Sequence, residues 1–360
     1  MTADWPHGDI SDAELAERGL SPADCLDFAV NVDPRGPHPA VHRAFRHANI
    51  ARYPDPHARD LRRALAARDH VEPDQILVGH GVTGILWALM RALAGRDRVL
   101  VPAHSFHEYT AAARASALTL DSVPRRPHDG FALPWPRIHD WLQTHPTGVL
   151  VLGSPDNPTG LALNYDRLVQ VACDHPRAVV IVDEAFLRLS CQHSDVRRVV
   201  PTNVWRLRSL TKELGMPGLR VGYVVAAHDE ISRLADHLPP WSVGAAALAA
   251  AEAGVSDPQI VTEVRDRMRR DVDTLRATLR RLAVDPLPTA TVFTLVAVGD
   301  GRGLAEFLRG QGLLVRDCGS FGLPEYVRLC GRPSADVATL ATAWRRWHER
   351  SHRPTHTRPE

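Results

Sequence analysis

One lysine, Lys212, stands among 43 basic side chains in this chain of 360 residues; every other one is arginine. A lysine amine can shed its proton and attack a carbonyl carbon to form a Schiff base. A guanidinium, charged at any biological pH, cannot. A sequence that has run to arginine elsewhere while keeping lysine at one position points to that chemistry at that position. The competing explanation is a chance survivor of compositional drift on a solvated surface. The surrounding segment, Ser209-Leu-Thr-Lys212-Glu-Leu-Gly-Met-Pro-Gly-Leu-Arg220-Val-Gly-Tyr223, argues against it.

Three further groups could act with an amine. Asp183 ends an apolar run, Val179 to Val182, where a partly buried carboxylate is costly unless it meets a cation. Taken alone, Asp183 serves equally well as a helix N-cap. Asn157 lies in Ser154-Pro-Asp-Asn157-Pro-Thr-Gly160, where prolines fix the backbone and can aim the amide at a ligand oxygen. A plain Pro/Asn turn has the same composition. Gly79-His-Gly81-Val-Thr83-Gly84 joins a strand-like run to a helical one, so its backbone amides and the Thr83 hydroxyl could cradle a phosphate. A glycine turn without a ligand is the simpler reading of that motif by itself. Ser209 and Arg220 flank Lys212 and could complete a phosphate site. Lysine for an imine, Asp for a protonated ring nitrogen, Asn for a ring oxygen and an anchor for phosphate together meet the requirements of pyridoxal phosphate.

Such residues need a scaffold that brings them to one place. Between about 60 and 226, short apolar runs alternate with helix-length amphipathic segments: Ile76–Val78, Val99–Val101, Val149–Leu152, Val179–Val182, Val204–Leu207 and Tyr223–Val225. That alternation predicts a mostly parallel sheet covered by helices on both faces, with ligands gathered beyond the carboxyl ends of the strands. From about 256 the pattern changes. A long helix starts at Ser256-Asp-Pro258, followed by strand-like Thr291–Val298, a short helix near Leu304–Leu308, strand-like Leu313–Arg316 and Tyr326–Leu329, and a last helix through Trp347. The expected division is an N-terminal segment (1–52) joining a smaller α/β domain (246–350), a larger cofactor-binding domain (53–245), and a disordered tail (351–360).

Composition narrows the function. A formal net charge of +1 gives no reason to expect nucleic acid or an anionic membrane as partner. The arginines between 265 and 281 alternate with acids on a helical pattern and read as a solvated face. There is no membrane-length apolar run and no secretion signal. Five widely spaced cysteines make no CxxC pair, and the 19 histidines make no HExxH, so neither a disulfide framework nor a metal site is expected. The cytoplasm is the expected compartment.

The chain resembles the fold-type I pyridoxal-phosphate enzymes of the class I/II aminotransferase group, within the threonine-phosphate decarboxylase and histidinol-phosphate aminotransferase branch. The resemblance runs from about His7 to Trp347. Its carriers include Asn31-Val-Asp-Pro34, Arg52-Tyr-Pro-Asp55, Asn157-Pro-Thr-Gly160, Asp183-Glu-Ala-Phe186, Leu207-Arg-Ser-Leu-Thr-Lys212, Pro217-Gly-Leu-Arg220-Val-Gly-Tyr223 and Val315-Arg-Asp-Cys318. It implies an α/β transferase fold, a large domain built on a mostly parallel sheet plus a smaller α/β domain. It implies Lys212 as the Schiff-base amine, Asp183 on the pyridine nitrogen, Asn157 on the ring hydroxyl oxygen and Phe106 stacked on the ring. Gly81, Val82, Thr83, Ser209 and Arg220 would hold the phosphate. Tyr53 would reach the phosphate of a neighbouring subunit, hence a homodimer with shared sites. Arg328 would clamp the substrate carboxylate, against the alternative of an exposed strand arginine, and His7 would help bind a substrate phosphate. The sequence departs from the group at His80, Gly84, Gly244 and Thr291, and carries Phe186 where many aminotransferases have tyrosine. Aminotransfer on an amino acid or amino-phosphate is the expected reaction. Decarboxylation of O-phospho-L-threonine in cobamide biosynthesis is the alternative, because the same residues serve both. A cofactor-binding protein without turnover is a remoter reading, against which Lys212 and Arg328 speak.

Overall fold

The computed structural model describes residues 12–351; His7 and residues 352–360 lie outside them. The described chain forms two compact units. The larger takes residues 32–269 and 288–292, the smaller the remainder.

In the larger unit seven strands form one sheet in the order Ile76–Gly79, Gly222–Val225, Val204–Ser209, Val179–Asp183, Val149–Gly153, Val99–Pro102, Leu120–Val123. Gly222–Val225 runs antiparallel to both its neighbours, and the remaining pairs of the sheet from Val204–Ser209 onward are parallel. Six strands coincide with the apolar runs read from the sequence. The seventh, Leu120–Val123, carries Asp121 and Ser122 and sits at the sheet's edge, where only part of a strand is buried.

Side chains alternate between the two faces. Val179, Ile181, Trp205, Leu207 and Val224 pack on one face with the helices Gly81–Ala92 and His107–Ala115. Val180, Val182 and Val204 pack on the other with Trp135–Thr144 and Tyr165–Asp174. Beside that second cluster, Tyr223 and Val225 meet Val41, Leu61, Leu65, Ala247, Leu248 and Ala251.

The unit boundaries differ from those expected. Residues 32–52 and 246–269 belong to the larger unit, because the helix Ala245–Ser256 packs against Pro39–Arg46 and Arg59–Asp69. Its alanine-rich sequence is apolar nearly all round, so it is buried, but nothing in it names the neighbour. The arginine-rich helix Pro258–Arg281 is also less of a solvated face than its pattern suggests. Arg267 pairs with buried Asp33, and Arg269 donates to the Ala290 carbonyl.

The smaller unit has a three-stranded antiparallel sheet, with Tyr326–Cys330 between Arg316–Asp317 and Phe293–Ala297, and a parallel pair, Leu26–Asp27 with Leu313–Leu314. The run Leu313–Arg316, expected as one strand, is thus split between two sheets. Phe28, Leu275, Leu304, Val327, Leu340 and Trp344 lie in its core.

Candidate active site

Strand register sets the geometry. Gly153 is paired with Asp183 and Asp183 with Leu207, so three parallel strands end in one row. Asn157 follows four residues beyond the first strand of that row. Lys212 follows beyond the third, on the short helix Leu210–Glu213 that continues directly from strand Val204–Ser209. Next to the row, Gly222 is paired with both Gly79 and Ser209, and the helix Gly81–Ala92 begins two residues past Gly79.

Asp183 is 7% exposed. Its Oδ1 accepts the Ala185 amide at 2.9 Å and its Oδ2 accepts the Tyr109 hydroxyl at 3.0 Å. Burial, reinforced by Glu184 and Asp156 and only partly offset by the two hydrogen bonds, pushes its pKa up to about 6. Among the described residues no arginine, lysine or histidine forms an ion pair with it.

The next residue is provisioned in the opposite way. Glu184 accepts Arg206 Nε at 2.6 Å, Arg208 Nε at 2.8 Å and the Tyr165 hydroxyl at 2.6 Å. Burial opposes its ionisation, but Arg206 and Arg208 outweigh it and the net shift is downward. The network continues through Arg208 to Asp69, which Arg188 and the Tyr223 hydroxyl also reach, and through Arg68 to Glu213 at 2.6 Å. The residues after Asp183 and after Lys212 are therefore both fixed by buried arginines.

A second feature lies where Gly81–Ala92 begins. Gly81 has φ +70, and a Cβ there would stand 2.8 Å from Arg220 Nη2, so the guanidinium rests against this helix start. A Cβ on Gly222 would be 2.9 Å from the Val82 amide nitrogen and 2.9 Å from the Arg208 carbonyl. Only glycine allows that approach of strand to helix. Arg220 itself has φ 47, a left-handed backbone rare outside glycine. Its Nη1 donates to the Pro217 carbonyl, burial lowers its pKa, and no carboxylate pairs with it among the described residues. Ser209 is buried, its Oγ 2.8 Å from Thr211 Oγ1, and Val82 is buried beside half-buried Thr83. A guanidinium at the amino end of a helix, without an acid, is an anion site.

The remaining expected residues are placed as follows. Lys212 is half-buried, with Nζ 5.9 Å from the centroid of the Phe186 ring. Phe106 and Asn157 are half-buried, and the Phe106 ring stands edge-on to Tyr109 with centroids 5.6 Å apart. Tyr53 is 83% exposed, and its ring lies tilted against that of Trp241, also exposed, with centroids 4.9 Å apart. Arg328 belongs to the smaller unit. It is 6% exposed, donates to the Ala29 carbonyl at 2.6 Å and lies 5.3 Å from the Phe293 ring centroid. An exposed strand arginine is therefore excluded. Burial lowers its pKa to about 10, and its register partner across the sheet is Arg316. Of the departures, His80 is exposed just before the helix start, Gly84 sits under the His80 Cβ, Gly244 precedes Ala245–Ser256, and Thr291 is fully buried. Sequence reasoning passed over two groups: Tyr109, and Arg125, which bonds Asp156 at 2.8 Å.

These residues fit pyridoxal phosphate. A buried carboxylate that pairs with no cation among the described residues suits a protonated ring nitrogen, and the Gly81–Arg220 cradle suits a phosphate. Among the described residues no group of three or more His, Cys, Asp or Glu could hold a metal, and no helix is long and apolar enough to cross a membrane.

The sheet and the set of residues at its strand ends define a fold-type I pyridoxal-phosphate enzyme. The chain belongs to the class I and II aminotransferase family, whose model, Aminotransferase class I and II, matches residues 23–346. It is 32% identical over 327 residues to the histidinol-phosphate aminotransferase of Halorubrum lacusprofundi, covering 87% of this chain and 86% of that one. The histidinol-phosphate aminotransferase of Sinorhizobium meliloti, solved in complex with pyridoxal-5'-phosphate, has the same fold, with a TM-score of 0.84 at 23% identity over 93% of each chain. The L-threonine-O-3-phosphate decarboxylase of Porphyromonas gingivalis gives 0.77 at 27% identity, covering 90% of this chain and 99% of that one. The protein is a pyridoxal-phosphate-dependent aminotransferase acting on a small amino-acid-type substrate.

Proposed function

We propose that this aminotransferase acts on an amino-phosphate, with Lys212 as its catalytic amine. The observation that carries the assignment of the site is Asp183, a buried carboxylate with neutral donors only, in the same row of strand ends from which Lys212 and Asn157 emerge. Bound pyridoxal phosphate supplies a carbonyl carbon for amino groups and a protonated ring that accepts the electron pair released at the substrate Cα. Lys212 Nζ takes and returns the Cα proton. Asp183 holds the proton on the ring nitrogen, Asn157 donates its amide to the ring hydroxyl oxygen, and Phe106 covers one face. Gly81, Val82, Thr83, Ser209 and Arg220 hold the cofactor phosphate.

Arg328 binds the anionic end of the substrate. Arg316 stands opposite it in register, and two buried guanidiniums on facing positions suit a dianionic phosphate as well as a carboxylate. The Halorubrum relative, named for histidinol phosphate, supports that substrate class. His7, outside the described residues, is assigned to the same phosphate by resemblance alone. Tyr53, exposed beside Trp241, is assigned to the cofactor phosphate of a second copy, which makes the enzyme a homodimer with shared sites. Five free cysteines accord with the cytoplasm.

Decarboxylation of O-phospho-L-threonine is the second reading. It is favoured by Phe186 beneath Lys212, which offers no hydroxyl to the ring, and by the likeness to the Porphyromonas enzyme. One experiment separates the two. The loaded enzyme is mixed with L-histidinol phosphate, O-phospho-L-threonine or L-glutamate, and the visible band, carbonyl product and carbon dioxide are followed. Bleaching of the band with one equivalent of carbonyl product from histidinol phosphate supports the aminotransfer reading. Carbon dioxide from phosphothreonine with the band retained supports decarboxylation.

A further inference from the structure

Tyr109 has no part in the roles assigned above, yet it is the only side chain bonded to Asp183 among the described residues. It is fully buried on the helix His107–Ala115, one turn from Phe106 at the helix start, and the two rings meet edge to face. Burial, followed by the nearby Asp183 charge, pushes the phenol well above its ordinary value, so the hydroxyl is a donor at any working pH.

A second carboxylate crowds the same space. A Cβ built on Gly153 would lie 3.0 Å from Asp156 Oδ1 and 3.3 Å from the Tyr109 hydroxyl oxygen, so both atoms converge above that glycine. Asp156 raises the cost of ionising Asp183, as does Glu184. Arg125 counters Asp156. Its Nη1 bonds Asp156 Oδ2 at 2.8 Å, Nε donates to the Ala103 carbonyl at 2.8 Å, and Nη2 donates to the His104 carbonyl at 2.9 Å. Thr159 Oγ1 adds a bond to Asp156 Oδ2 at 2.8 Å. One buried guanidinium thus ties the approach to Phe106 to the residue preceding Asn157, and it leaves the Tyr109 proton with Asp183 as its acceptor.

We propose that Tyr109 is a positioning residue for Asp183: its hydroxyl fixes the carboxylate's orientation and keeps it ionised, and the Arg125–Asp156 pair holds that hydroxyl in place. The inference rests on the reading of Asp183 as the partner of the ring nitrogen. Among the described residues only one donor other than a backbone amide serves this carboxylate, and a hydrogen bond to a charged group is stronger than one between neutral groups. Removing it lets burial drive Asp183 toward its neutral form, and the ring nitrogen loses its proton more readily.

The test is Tyr109→Phe, which deletes one oxygen and leaves the ring packing, compared with wild type and Asp183→Asn. Each is loaded with pyridoxal phosphate labelled with 15N in the ring, and the nitrogen shift is followed from pH 5.5 to 9 together with the cofactor dissociation constant. The expected result is a protonated ring nitrogen throughout in wild type. In Tyr109→Phe the shift moves toward the unprotonated value as pH rises, with cofactor affinity about ten-fold weaker, the scale of one hydrogen bond to a charged acceptor. A merely structural tyrosine would lower the melting temperature without moving the nitrogen shift. If Asp183→Asn moves the shift and Tyr109→Phe leaves both shift and affinity at wild-type values, the role of Tyr109 is overturned. If neither variant moves the shift, the reading of Asp183 itself has failed, and the inference with it.

Discussion

Asp183→Asn should make the cofactor-free protein more stable at neutral pH while spoiling the site. The carboxylate is buried and accepts from the neutral donors Tyr109 and Ala185, and its pKa stands at about 6 against an ordinary value near 4. Each factor of ten in an ionisation constant is worth about 1.4 kcal/mol, so the charged form costs the fold about 3 kcal/mol relative to the unfolded chain. The sign follows from the direction of the shift. Below about pH 4 the group is protonated in both states, and the fold bears no cost. Between about pH 4 and 6 the unfolded chain ionises first, and stability falls as pH rises. Above the folded value the loss is complete. An asparagine never ionises, so the stability difference between variant and wild type should grow by about 2 kcal/mol from pH 4.5 to 7.5, the rest of the cost having already set in below pH 4.5. Urea unfolding of both apo-proteins across that range measures it, and the difference cancels the titrations that the two proteins share. With cofactor the order reverses, because the carboxylate then has a cation and the amide cannot replace it. A difference that stays flat from pH 4.5 to 7.5 would mean that Asp183 ionises at its ordinary value, and the argument from burial would be wrong.

Other outcomes follow from the same geometry. Borohydride reduction of the loaded enzyme should attach one cofactor per chain at Lys212, and Lys212→Arg should show no adduct by intact mass, since no other lysine exists to accept it. Gly222→Ala should cost about 1–3 kcal/mol of stability and weaken cofactor binding, because its Cβ meets the Val82 amide nitrogen at 2.9 Å and must push the helix start from the strand; paired thermal melts and cofactor titrations check both. Arg208→Met should cost about 3 kcal/mol in urea unfolding, the lower end for breaking a buried ion pair, because Asp69 keeps Arg68 and Arg188 and Glu184 keeps Arg206. Tyr53→Phe should weaken cofactor affinity several-fold in a dimer of unchanged mass; a change of assembly state without loss of affinity would count against its reach into a second site.

The strands were legible because four of the six runs are apolar for three or four residues and then stop at Gly, Pro or Asp, a pattern that needs no knowledge of its neighbours. Leu120–Val123 escaped notice because an edge strand tolerates the polar Asp121 and Ser122. The affiliation of Ala245–Ser256 was hidden for a different reason: an all-round apolar helix says that it is buried but not against what. The same division separates the site residues. Lys212, Asp183, Asn157 and the glycine turn announce themselves by local composition and by their place after strand-like runs. Arg206 and Arg208 interrupt an apolar strand, and their acceptance there depends on Asp69, 139 residues from Arg208, and on Glu184. The spacing of Phe106 and Tyr109 on one helical turn was visible, but the hydroxyl's acceptor lies 74 residues away. Pairings made by the fold between distant segments leave no local trace.

The contrast between Asp183 and Glu184 follows from parity. Adjacent residues at the end of a strand point to opposite faces. Asp183 continues the face of Val179 and Ile181, where the cover is apolar helix and Tyr109. Glu184 continues the face of Val180 and Val182, onto which Arg206 and Arg208 also project, two residues apart on the neighbouring strand. A shift of one residue in the pairing of Val179–Asp183 with Val204–Ser209 would exchange the two environments, giving Asp183 the arginines and leaving Glu184 with the tyrosine. The arginine-paired carboxylate would then already be neutralised and of no use to a ring nitrogen. Register is held against that slip by the ion network and by packing, because the slip would break the bonds of Arg206 and Arg208 to Glu184 and take Val179, Val180, Ile181 and Val182 out of the faces on which they pack. The arginines therefore act on the chemistry from the far side of the sheet: by claiming Glu184 they keep the neighbouring carboxylate unclaimed for the cofactor.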